Sequence, residues 1–278
     1  MVSLVERLGH PADSRLLIIT ATGLGACHSI NEGVYRSLRE GLATTASVQV
    51  PCPWAREASA RYRGEDVGIH LTLNSEYDLY RWGPITYAPS LLDGDGGFPR
   101  TLHDVWEHAD PDEVRRECRA QIERAVLWGY DPTHLSSHLH AMVLRPELLD
   151  IYLDLAVEFS LPVRLADSRL LEGAGFPVAD QARHRGVVFA DRVVTVPGGA
   201  ASRHTLEKVL ADLEPGVTEV HVRPAADFPE LRSFAPDWAA RVDDMNLLTS
   251  DSEFALLVRR SGAVPIGYRA LRNLMRAG

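Results

Sequence analysis

The feature that most constrains this chain is an alternation: short runs of β-branched and aliphatic residues, each followed by a segment with helical periodicity. The runs are RLLIIT (15–20), TASVQV (45–50), VGIHLTL (67–73), one ending at His138, LPVRL (161–165), RVVTV (192–196), TEVHV (218–222) and VPIGY (264–268). Strands that alternate with helices need crossover connections and so assemble a mostly parallel sheet. About eight such units favour closure over an open sheet. The fold class expected is therefore α/β, a distorted (β/α) barrel of mostly parallel strands.

Helix punctuation agrees. Ser29 is placed to cap a helix with Ile30, Val34 and Leu38 on one face, ended by Gly41. Asp110-Pro111 opens a second, whose Val114, Cys118, Ile122 and Ala125 share a stripe before Gly129. Arg145-Pro146 starts a third that ends near Phe159, and Ser250 or Asp251 begins the last, before Gly262. Stretches 74–110 and 167–191 lack either periodicity. Loops of that length in a compact domain usually cover or bind something. With 278 residues, 45% of them hydrophobic, and no repeat or linker, one domain over 1–278 is expected.

Charge narrows the partners. A net charge of -9 without a basic stripe gives nucleic acid or anionic membrane no electrostatic hold, so a small molecule is the expected ligand. No run of eighteen apolar residues occurs and the start, MVSLVERLGHPADSR, is too polar for a signal peptide, which predicts a cytoplasmic protein. The three cysteines, Cys27, Cys52 and Cys118, are odd in number and lack CxxC spacing, so neither a disulfide framework nor a zinc knuckle is indicated. Buried thiols are expected, with Cys27 beside a helix start the one placed to be a nucleophile.

In parallel α/β barrels the active site lies where strands end and loops begin. Read so, TATGLGACHSIN, GIHLTLN, THLSSHLH and EVHVRPA bring Thr22, Gly23, His28, His70, His134, His138, His140, His221 and Arg223 to one mouth. Blander roles compete. His70 could be a hydrogen-bonded core histidine, His134 a structural one nearer the barrel floor, and His28 a capping or exposed residue. Tyr77, Tyr80 and Trp82 could form a satellite core or cover a sugar face, and Arg223 could pair with Asp227 or Glu230 or hold an anionic substrate group.

The order and spacing of these segments resemble the YdjC/ChbG-type carbohydrate deacetylases, also called HpnK-type, over nearly the whole chain. Members carry Asp-Asp-Phe/Leu-Gly after the first strand, then Gly-x-His-Leu-x-Leu, Thr-His-Leu-Asp-Ser-His and a late His-Pro. Here these are Thr22-Gly23-Leu24-Gly25, Gly68-Ile69-His70-Leu71-Thr72-Leu73, Thr133-His134-Leu135-Ser136-Ser137-His138 and Arg223-Pro224. The resemblance implies a polysaccharide-deacetylase-like barrel, a homodimer, and removal of an acetyl group from an N-acetylated sugar. It further implies a divalent metal held by one Asp and two His, with a second Asp as base. His70 and His138 match the histidine ligands, but Thr22, Gly23, Ser136 and Arg223 stand where the acids and the late histidine would be. The expectation is a pocket of imidazoles with no carboxylate beside them, which would hold a dication poorly.

Three functions remain open. His70 and His138 could act as acid and base with no cofactor, with Ser136, Thr22 and Arg223 orienting a small polar substrate that His140, Tyr77, Tyr80 and Trp82 help to bind. Alternatively His28, His70 and His138 rebuild a three-histidine site for zinc or another divalent metal. In the third reading the protein binds a ligand or partner without turnover. Lys208 as the sole lysine reads as a high-GC bacterial coding bias, and analogy then suggests tailoring of a specialised metabolite.

Overall fold

The computed structural model describes residues 2–277. Among the described residues there are seven strands: β1 (Arg15–Leu24), β2 (Thr45–Val48), β3 (Val67–Leu71), β4 (Leu135–Ser137), β5 (Arg192–Thr195), β6 (Gly216–Val222) and β7 (Val264–Pro265). Every pairing is parallel, in the order β4-β3-β2-β1-β6-β5, and β7 joins β1 at Leu16 and Leu17. The sheet curls into a half-barrel surrounded by helices, the α/β distorted barrel that the alternation predicts. Residues 16–21 of β1 and all of β6 are buried, as strands covered on both faces must be.

Closure is incomplete, and two expected strands are the reason. LPVRL forms only an isolated bridge, Leu135 to Val163. Its backbone is nonetheless tied on both sides, since Leu135 N–H donates to Pro162 O at 2.9 Å and Val163 N–H donates to Val188 O at 2.9 Å. Pro162 has no N–H to extend a ladder. VPIGY contributes just Val264–Pro265, and Tyr268 opens a further helix, Tyr268–Ala277, so the helix at Ser252–Arg260 is not the last.

Two expected caps form and one does not. Asp110 accepts from the Asp112 and Glu113 N–H groups at 2.9 and 3.1 Å to open Pro111–Leu127. Asp251 accepts from Phe254 N–H at 2.8 Å to open Ser252–Arg260. At His28–Arg39, however, Cys27 takes the cap position and Ser29 N–H donates to Glu230 Oε1 at 2.7 Å. A carboxylate from another segment replaces the local cap, and proximity in sequence gave no sign of it. Within the two irregular stretches lie short helices at Leu102–His108, Ser168–Gly173 and Val178–His184. Among the described residues no helix is long and apolar enough to cross a membrane.

Candidate active site

A cavity of about 570 Å³ lies at the ends of the strands, lined by Thr22 and Gly23 from β1, His70 from β3, and His138 and His140 just after β4. His221 from β6 and Arg223 beyond it complete the mouth that the strand-end rule anticipates. The volume suits a sugar-sized ligand.

Two imidazoles form its centre. His70 Nε2 lies 3.2 Å from His138 Nδ1, and the outer nitrogen of each ring is tied: His70 Nδ1 to Ser136 Oγ at 2.7 Å, His138 Nε2 to Glu76 Oε2 at 2.9 Å. With both rings neutral, the Glu76 carboxylate, which can only accept, sets one direction of donation. Ser136 O–H donates to His70, His70 Nε2–H donates to His138 Nδ1, and His138 Nε2–H donates to the Glu76 carboxylate. Burial and the Arg164 guanidinium hold His70 well below the usual imidazole range. Burial alone would raise Glu76, but His138 outweighs it and the carboxyl lies below its ordinary value. Leu139 and His140 follow at φ 46° and 62°, a conformation costing side-chain-bearing residues about 1–3 kcal/mol each, which puts backbone strain at the cavity wall.

Glu76 corrects the expectation of a pocket without carboxylates. It comes from the irregular stretch 74–110, whose path is fixed from the helix Pro111–Leu127. There the buried Glu117 accepts from the Ile85 and Thr86 N–H groups at 3.1 and 2.9 Å. A second acid, Glu219 on β6, is fully buried behind the cavity. It accepts from Thr20 at 2.6 Å, His221 at 3.1 Å and Tyr268 at 2.5 Å. Burial would raise it, but His221, Arg164 and Thr20 together hold it at about 2.

The other singled-out residues divide. Tyr77 and Trp82 line the cavity; Tyr80 does not, being stacked on Phe234 at 4.3 Å with its hydroxyl donating to Ala26 O. Thr22 also lines it, its hydroxyl donating to Val222 O at 3.4 Å, whereas Ser136 stands behind His70. Arg223 pairs with Asp237 at 3.1 Å, not with Asp227 or Glu230, which serve Arg232 and the helix start. His28 does not join His70 and His138. Its ring sits between Trp54 and Phe228, 3.8 Å from Glu57, because the helix His28–Arg39 turns it to the outer side of the mouth. The thiol of Cys27 is buried and raised to about 11, the reverse of an activated nucleophile. His134 is a floor residue stacked on Tyr268 at 4.0 Å; a Cβ on Gly68 would meet it at 2.4 Å, so the glycine of Gly-x-His-Leu makes room for this ring. Lining residues that went unnoticed in the sequence include Gln49, Glu76, Arg164 and Arg241. A charge inside each apolar run, Arg164 in LPVRL and Glu219 in TEVHV, was the available signal.

The family model for YdjC-like proteins matches residues 16–259. The chain belongs to the YdjC-like family. A curated relative from Thermus thermophilus, named carbohydrate deacetylase, is 35% identical over 99% of this chain and 100% of its own length. A carbohydrate deacetylase from Thermoanaerobacter pseudethanolicus is 27% identical over 93% of this chain and 100% of its own. A chitooligosaccharide deacetylase from Yersinia enterocolitica is 30% identical over 54% and 59%. A crystal structure from Enterococcus faecalis, of a candidate cellobiose-phosphate cleavage protein, shares the fold with a TM-score of 0.80 at 23% identity, covering 93% of this chain and 99% of its own.

YdjC-like relatives named deacetylases raise the question of a divalent metal. Two nitrogens on one tetrahedral zinc would lie roughly 3.3 Å apart, and the His70–His138 pair has that spacing. The remaining corners have no suitable donor. Thr22 gives only a hydroxyl, Gly23 has no side chain, and Glu76 binds the far nitrogen of His138. Among the described residues no group of three or more His, Cys, Asp or Glu could hold an ion. Arg164, Arg223 and Arg241 line the same space and disfavour a dication. The donor set does not fit a resident hydrolytic metal.

Proposed function

We propose that this YdjC-like protein is a carbohydrate-active hydrolase-family enzyme that acts on a small polar, sugar-like or amide-containing substrate through histidine acid–base chemistry. One observation carries the reading: Glu76 holds His138 by Nε2, which leaves Nδ1 directed at His70 and Gln49 as the basic atom. A base must be oriented as well as basic, and a carboxylate on the far nitrogen both fixes the tautomer and stabilises the imidazolium formed on proton uptake. On an N-acetylated sugar, water bound at His138 Nδ1 in place of the His70 and Gln49 donors would lose a proton to that nitrogen and add to the acetyl carbonyl carbon. The C–N bond then breaks, with the proton returning to the leaving amine. The Arg223 and Arg241 guanidiniums, which line the cavity, are suited to the oxyanion that develops. A competing reading, that His70 and His138 still hold zinc with substrate oxygens completing the shell, rests only on the 3.2 Å spacing.

The test is acetate release from N-acetylglucosamine and N,N′-diacetylchitobiose, followed by NMR on chelator-treated protein whose metal content has been measured. Turnover that survives the chelator and is lost in His138→Ala supports the proposal. Turnover that appears only on adding zinc overturns it in favour of the metal reading.

A further inference from the structure

Of the buried arginines, Arg241 is paired with Asp237 at 2.9 Å and Arg272 with Asp131 at 2.6 Å. Arg164 differs. It is 5% exposed, makes no ion pair among the described residues, and leaves both Nε and Nη1 buried without a hydrogen-bond partner. Its backbone is rigidly held, Arg164 N–H donating to Leu135 O at 2.8 Å and Tyr152 O–H donating to Arg164 O at 3.0 Å, so the side chain has a fixed origin. It lines the cavity. An unpaired buried charge is among the least favourable features a fold can contain, and is retained where something outside the chain completes it.

Nearby acids are already occupied. Glu219 feels the Arg164 charge but makes no ion pair with it, its oxygens being taken by Thr20, His221 and Tyr268; Glu76 is engaged by His138, and Asp237 by both Arg223 and Arg241. We infer that Arg164 seats a carboxylate of the substrate, so that the sugar-like molecule handled in this cavity is an acid. A carboxylate oxygen is a strong acceptor for the guanidinium N–H that reaches the cavity, and beside Glu76 and Glu219 a monoanion brings less repulsion than a phosphate dianion would. The inference rests on the cavity being the substrate site, but not on its chemistry.

Binding of glucuronate, glucose and glucose 6-phosphate to the full chain in the presence of EDTA, measured by calorimetry, tests it without turnover. Glucuronate is expected to bind about tenfold or more tighter than glucose, and Arg164→Gln to abolish that preference while leaving glucose unaffected. Equal binding of glucuronate and glucose, preference for glucose 6-phosphate, or a preference that persists in Arg164→Gln would each overturn the inference. Because no catalysis is required, a failure here is distinct from failure of the acid–base reading.

Discussion

Glu76 Oε2 lies 2.9 Å from His138 Nε2, on the side of the ring away from His70. A carboxylate so placed cannot share an ion with the two imidazoles, yet it governs which nitrogen of His138 carries the proton. That arrangement turns a pair of apparent metal ligands into an oriented base.

Glu76→Gln should leave the fold intact and lower kcat by roughly 10²–10³-fold, because an amide can accept or donate and so no longer dictates the tautomer, and carries no charge to stabilise the imidazolium. Steady-state turnover with circular dichroism as a fold control measures this. An unchanged kcat would remove Glu76 from the mechanism.

Thr22→Asp should give the His70–His138 pair its missing anionic neighbour and bring zinc affinity into a range that titration calorimetry detects. Gly23→Asp should not act in the same way. Gly23 has φ +95° and an added Cβ would meet Ile30 Cγ2 at 3.1 Å, so this change is expected to destabilise by about 1–3 kcal/mol in urea denaturation.

Acid should destabilise the protein from below neutral pH. Burial holds His134 at about 3, against an ordinary value of 6.5, so the folded state refuses a proton that the unfolded chain accepts. Stability is then full above 6.5 and falls as pH drops from there towards 3, by about 1.4 kcal/mol per pH unit for this group. Glu219, held at about 2, adds a loss in the same direction below its ordinary 4.5. Urea midpoints across pH 4–8 that stay flat below 6.5 would contradict this.

Tyr268→Phe removes one donor to the buried Glu219 and should cost about 1–3 kcal/mol in the same denaturation assay, with His134 retaining its stacking partner. A neutral result would mean that Glu219 is satisfied by Thr20 and His221 alone.

Local pattern made much of this legible. The Asp110 and Asp251 caps, the stripe from Val114 to Ala125, and the strand-end positions of His70 and His138 follow from periodicities of two and 3.6 residues and from turn chemistry. Where pattern misled, a contact between distant segments had taken over. Ser29 looked like a cap, but Glu230 reaches in from 201 residues away; LPVRL looked like a full strand, but Pro162 denies it a ladder. Tyr80 and His28 read as mouth residues, and helix orientation and aromatic packing turned both aside.

The amino-acid order alone pointed to a distorted parallel α/β barrel, because strand and helix periods depend on neighbours within a few residues, and the family resemblance matched His70 and His138 to ligands while showing Thr22, Gly23 and Ser136 where members carry acids. Only the tertiary structure decided that Glu76 completes His138 and that the Arg164 Nε and Nη1 are left without a hydrogen-bond partner. Charge balance is set by separations of a few ångströms between side chains many positions apart, and the path of the 74–110 loop, which no periodicity encodes, fixes those separations.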